Sequence, residues 1–170
     1  SSGGGSSGLW SGAGGGAIRV TADTLVLEGA LSADGQGAYD YAGAGAGGSI
    51  WITAATVSGG GVIHANGGGT GSNHGGGAGA GGRVAVYTSD VLSLPGANIT
   101  ANGGWGPGAN MGANGTVALI DTSGGGSHLH VYTSFDVAEG EAVTFDDVTL
   151  HGGTTALRGG STLEVSGALT

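Results

Sequence analysis

The chain has 170 residues, 44 of them Gly and none Cys, and its 3 basic and 12 acidic side chains give a formal net charge of −9. The basic residues are all Arg, so there is no basic patch to bind a phosphate backbone, and nucleic acid is excluded as a partner. No apolar run approaches the roughly 18 residues of a membrane span, and a chain without Cys has no disulfide scaffold.

In chain order, residues 1–15 are almost entirely Gly and Ser and read as the tail of an earlier repeat. Four similar segments follow: Gly16-Ala17-Ile18-Arg19-Val20-Thr21, Gly48-Ser49-Ile50-Trp51-Ile52-Thr53, Gly82-Arg83-Val84-Ala85-Val86-Tyr87 and Gly115-Thr116-Val117-Ala118-Leu119-Ile120. Their starts at 16, 48, 82 and 115 are 32, 34 and 33 residues apart. Within each, Ile18/Val20, Ile50/Ile52, Val84/Val86 and Val117/Leu119 alternate with variable positions, the period of a half-buried strand. A second block, Leu31-Ser32-Ala33-Asp34-Gly35, returns as Ile63-His64-Ala65-Asn66-Gly67 and Ile99-Thr100-Ala101-Asn102-Gly103. Its Asx-Gly ending predicts a sharp corner, with Gly taking positive φ.

Gly-rich arms complete each repeat at 36–47, 68–81 and 104–114. Ordering twelve such residues costs about 12–24 kcal/mol. Loops repeated in register at that cost are expected to be ordered, hydrogen-bonding to their stacked copies in an extended or polyproline-II-like form. The copies fall near 14–45, 46–79 and 80–112, with a partial one at 113–123. Beyond them, residues 124–170 hold only 9 of the 44 Gly, but Leu129/Val131, Val143/Phe145, Val148/Leu150 and Leu163/Val165 still alternate, predicting further rungs. A unit of two strands and a loop cannot bury its apolar face alone, so neighbours must stack on it. The expected fold is all-β, a parallel β-helix (β-solenoid) with repeats of about 33 residues and polyglycine-II-like sides. A polyglycine bundle without a β core is the structural alternative, but it has no use for β-branched ladders.

Gly81-Gly82-Arg83-Val84-Ala85-Val86-Tyr87 and the Ala-Asn-Gly corners resemble the glycine-rich repeats of large secreted or surface proteins. The run Gly160-Ser161-Thr162-Leu163-Glu164-Val165-Ser166-Gly167-Ala168-Leu169 is similar to rungs of autotransporter-type passenger domains and filamentous adhesins. The resemblance implies an extracellular stalk, fibre or adhesin and carries over no catalytic residue.

Several constellations invite sharper readings. Asp146-Asp147 would suit a polysaccharide-cleaving β-helix, yet adjacent strand residues face opposite ways and Arg158 is the only basic side chain nearby. His128 and His130 share a strand face at a spacing that can hold Zn or Cu, with Asp121, Asp136 or His151 as a third ligand. An exposed strand face is the default, so neither a metal nor any other cofactor is expected. Asp34, Asn66 and Asn102 form a ladder better suited to side-chain hydrogen bonds than to calcium. The Gly-rich runs lack the Lys-Ser/Thr ending of a phosphate loop. An ice-binding face would need regular Thr rows, whereas the outward positions carry Arg19, Trp51, Ala85 and Ala118.

Trp10, Tyr39, Tyr41, His74 and Trp105 punctuate the Gly-rich side and could stack on sugar rings or anchor a partner chain. Their lack of common register favours pins for the loops over a binding row. Asn98-Ile99-Thr100 and Asn114-Gly115-Thr116 are glycosylation sequons. The expected function is a non-enzymatic, extracellular structural or adhesive segment, with a carbohydrate-binding module as the alternative and a polysaccharide-cleaving or ice-binding solenoid behind it. Ser1 in place of Met, and an alternating run that stops at Thr170, suggest a piece of a longer chain. The expected partner is the chain itself, adding head to tail or continuing into further rungs.

Overall fold

The computed structural model describes residues 11–39, 41–71, 76–107, 110–151 and 154–170. Within them the chain coils as a β-solenoid. Strands β1 (Ala17–Val26), β3 (Ser49–Ser58), β5 (Arg83–Leu92) and β7 (Thr116–Asp121) stack in parallel. Ile18, Ile50, Val84 and Val117 lie in one column, and Val20, Ile52, Val86 and Leu119 in the next. Strand alternation sends both columns to one face, where Ile52 is 0% exposed. The short strands β2 (Ala30–Ser32), β4 (Val62–His64) and β6 (Ile99–Thr100) stack Leu31, Ile63 and Ile99 as a second wall of the same core. Full burial of each Ile or Val contributes roughly 1.5–3 kcal/mol, so the core's stability is spread over every rung.

Ladder register slips once, where Ala54 pairs with Thr88 but Thr56 with Val91. Thr88 occupies the irregularity, and its hydroxyl donates to the Ala55 carbonyl at 2.7 Å. On the turn from β3 to β4, Gly59 adopts φ +116°, and a Cβ there would overlap the Leu27 carbonyl of the preceding rung.

The Gly-rich arms form a second, backbone-built core. On the returning arm of one rung, Gly45 and Gly48 donate across their own rung to Gln36 and Ala33, while Ala44 and Gly47 donate to Gly77 and Ala80 of the next. The following rung repeats this: Gly79 and Gly82 donate to Gly68 and Ala65, and Ala78 and Gly81 to Asn110 and Ala113. Equivalent donors therefore recur every three residues, the period of polyproline II. Along the stack, Gly68 donates to Gly45 and Gly104 to Gly79, which ties the arms of successive rungs together. A Cβ at Gly45, Gly79 or Gly112 would overlap a carbonyl oxygen of the rung before.

The Asx-Gly corners turn without positive φ. Among the described residues the left-handed glycines are Gly59, Gly124, Gly125, Gly140 and Gly160, none of them at a corner. Gly35, Gly67 and Gly103 are required for closeness instead: a Cβ on each would meet the carbonyl of Gly45, Gly79 or Gly112 on the returning arm.

After β7 the coil reverses. Strand β8 (His128–Val131) pairs antiparallel with β7. A narrower coil then begins: β8, β9 (Ser134–Val137) and β10 (Ala142–Phe145) pair in parallel with β11 (Asp147–Leu150), β12 (Thr154–Leu157) and β13 (Thr162–Val165). Register partners such as Leu129 and Val148, or Val143 and Leu163, give a rung of 19 or 20 residues. This coil has its own core of Leu129, Val131, Phe145 and Val148, edged by Phe135, Val143, Leu163 and Val165. Strand β7 serves both cores, with Val117 and Leu119 in the first and Ala118 and Ile120 against the second. Ala118 was expected to face outward. It does face away from the first core, yet it is 4% exposed because the second core closes over it.

Candidate functional site

Two of the five aromatic and His positions come together at the Gly-rich side. Tyr39 belongs to the first rung and Trp105 to the third, and both border one open groove of about 410 Å³. The backbone explains their meeting. Ala38 donates to the Gly69 carbonyl at 3.0 Å and Thr70 to the Trp105 carbonyl at 2.9 Å, so Gly37, Gly69 and Trp105 occupy equivalent positions in successive rungs. The Tyr39 ring lies near Gly71, where a Cβ would stand 3.8 Å from it. Glycines at 37, 69 and 71 thus leave a floor of bare peptide, and Tyr39 and Trp105 stand up from it at 70% and 63% exposure. Gln36, Ala38 and Thr70 complete the lining. Tyr41 is also exposed but does not line the groove, and Trp10 and His74 lie outside the described residues.

The corner ladder is a chain of hydrogen bonds between rungs. Asp34 accepts from the Asn66 amide N–H at 2.6 Å, and the Asn66 side chain accepts from Asn102 N–H at 2.8 Å. The other Asp34 oxygen holds His64 Nδ1 at 2.7 Å and accepts from the Ser32 hydroxyl at 3.3 Å. The hydroxyl sits on the carboxylate and not on the imidazole, so this grouping orients His64 without activating a nucleophile.

The second coil separates the residues suggested as metal ligands. His128 Nδ1 pairs with Asp147 at 2.9 Å, Asp136 pairs with Arg158 at 2.6 Å, and Asp121 accepts from Ser123 N–H at 2.8 Å. Only His130 and His151 meet, Nδ1 to Nε2 at 3.2 Å, with Tyr132 stacked on His151 at a centroid distance of 4.3 Å. Burial first, and His151 second, hold the His130 imidazole below its ordinary pKa. Tyr132 packs against the first core, so this aromatic and imidazole group lies where the second coil meets the first. Among the described residues no three His, Asp or Glu side chains converge as a metal centre.

Asp146 and Asp147 act as staples between rungs. Asp146 accepts from the Ser127 N–H at 2.6 Å and from the Ser166 hydroxyl at 3.1 Å, and these bonds hold its carboxyl below the usual range. Asp147 accepts from Ala168 N–H at 2.7 Å. Of the two sequons, Asn98 uses its amide nitrogen to donate to Gly60 and Gly61 at 3.1 and 3.0 Å, whereas Asn114 is exposed and accepts from Gly103 N–H.

One aromatic pair escaped the sequence reading. Trp51 and Tyr87 stack on the outer sheet face with centroids 4.7 Å apart. Tyr87 sits level with Thr53, two positions beyond Trp51 on the neighbouring strand, and that diagonal on the 34-residue step is the signal that could have revealed it. The column containing Trp51 reads Arg19, Trp51, Ala85, Ala118, so no Thr row crosses it. No protein-family model, curated protein or solved structure matches this chain.

Proposed function

We propose that the chain is a non-enzymatic, extracellular structural and adhesive segment, part of a stalk or filament at a cell surface. The observation that carries this reading is that rungs of the first coil are hydrogen-bonded to one another on the long strands, the short strands and the Gly-rich arms alike. Such a rod resists separation of its rungs through many backbone bonds arranged in parallel, with no disulfide needed. The adhesive part rests on exposed aromatic side chains held on this rigid frame. Self-association remains part of the proposal, since among the described residues β1 is an edge strand of the six-stranded sheet and its Ile18 and Val20 are only half-buried.

Single-molecule pulling across the first coil tests the mechanical reading. Rungs should peel off singly, each releasing about 33 residues, or roughly 110–120 Å of chain. Release of the whole coil in one step at low force would overturn it. Light scattering across a salt series tests association: with charge repulsion screened, end-to-end species should lengthen as salt rises. A strict monomer at every salt concentration would remove the filament half.

A further inference from the structure

We infer that the groove between Tyr39 and Trp105 is a binding site for an uncharged oligosaccharide lying along the solenoid axis. The inference rests on the adhesive half of the proposed function and names its ligand class. Three features carry it. First, the walls are two exposed aromatic rings two rungs apart, a separation of roughly 10 Å at the usual strand spacing, which is about the length of a disaccharide. Aromatic faces stack on the C–H faces of sugar rings while leaving the hydroxyls free.

Second, the floor is peptide. At Gly37, Gly69 and Gly71 no side chain covers the backbone, and each carbonyl bonded between rungs keeps a second lone pair. A hydrocarbon ligand would strip water from these groups and return nothing, a costly exchange. A ring that carries hydroxyls replaces the water bond for bond. The Gln36 carboxamide, whose Oε1 accepts from Ala13 N–H at 3.3 Å, adds its NH2 donors to the lining, whereas Thr70 is 2% exposed with its hydroxyl turned to the Gly76 carbonyl.

Third, the charge is wrong for an ion of either sign. Among the described residues eight line the groove and none of them is Arg, His, Asp or Glu, in a chain whose formal charge is −9. The long-range field repels anionic sugars, and nothing in the lining compensates. Among the described residues a cation finds no carboxylate in the lining. Neutral glycans remain, and uronate polymers are disfavoured.

Calorimetric titration of the whole chain tests this, with the hexasaccharides of cellulose, mannan and chitin as neutral probes and hexagalacturonate as the acidic one. At least one neutral probe should bind saturably, and hexagalacturonate should not. Tyr39→Ala and Trp105→Ala should each weaken binding by about tenfold or more. Gly71→Leu, which keeps both aromatic residues but fills the floor beside the Tyr39 ring, should abolish it. All three positions are at the surface, and unchanged thermal melts would show that the frame is intact. Silence from all three neutral probes up to about 10 mM, equal binding of hexagalacturonate, or binding that survives all three substitutions overturns the inference. Any of these outcomes would leave the stepwise peeling of rungs untouched, so the site and the rod fail separately.

Discussion

Single residues in this protein are held by two different kinds of core, and substitutions should report which one they touch. Ile52 is fully buried in the aliphatic ladder, so Ile52→Asp places a charge without a partner among Ile50, Val84 and Val86. A loss of several kcal/mol is expected in urea denaturation, against about 1 kcal/mol for Ile52→Val. The Gly arms obey a size rule of their own. Gly79→Ala would drive a methyl into the Gly45 carbonyl and should cost about 1–3 kcal/mol or more. Gly77→Ala, only two residues away, meets nothing within 4 Å and should be neutral or stabilising by about 0.4–1 kcal/mol. Equal melting of the two variants would show that the arms are not packed. The aliphatic ladder was plain in the sequence because like residues recur at one spacing. The size rule was only half visible: Gly at the corners was correctly flagged, but for its φ, when the returning arm's carbonyls are what exclude a side chain.

At the level of elements, the arms should exchange like strands. Amide protons of Gly45, Gly68, Gly79 and Gly104 donate to other arm segments and should exchange at rates close to those of β3 and β5. Fast exchange at all four would reduce the arms to loose loops. The junction of the coils should be the acid-sensitive element. His130 is shifted down by burial and by His151, with a smaller contribution from His128, while Asp121 pulls the other way. The unfolded chain therefore takes up this proton more readily than the folded one, and stability declines as pH falls below the ordinary value of 6.5. The urea midpoint should be lower at pH 5 than at pH 7.5, and His130→Gln should shrink the difference. Asp146 is lowered too, but its contribution persists until the pH falls below about 3.8, outside that window. Neither the junction nor the groove was legible in advance, for different reasons. The second coil repeats its 19- or 20-residue rung only once, and its reversal is marked by nothing more than Gly124-Gly125-Gly126. Tyr39 and Trp105 have no common position in the repeat; the groove forms because Gly stands in the intervening rung where each of them would have an equivalent.

The molecule as a whole is two coils with one strand in common, and that sharing is testable. Ala118→Asp buries a carboxylate against the second core while leaving Val117 and Leu119 in the first. No Trp lies in residues 124–170, while Trp51 and Trp105 stand in the first coil, so tryptophan emission carries no signal from within the second coil. The variant should lose circular dichroism in a transition that precedes the fluorescence transition, whereas the parent unfolds with the two signals closer together; coincident transitions in the variant would mean that β7 does not divide the cores. Sharing β7 also bears on how such a chain can change length. A duplicated segment of about 33 residues inserted before β7 adds one more layer, about 4.8 Å of rod, and every new surface it presents matches an old one. The second coil meets β7 and, through Tyr132, the rung that ends in Gly96, so a duplicate of that rung carries it outward with its contacts kept. Length becomes a quantity that gene duplication can adjust freely, while the second coil stays the same object.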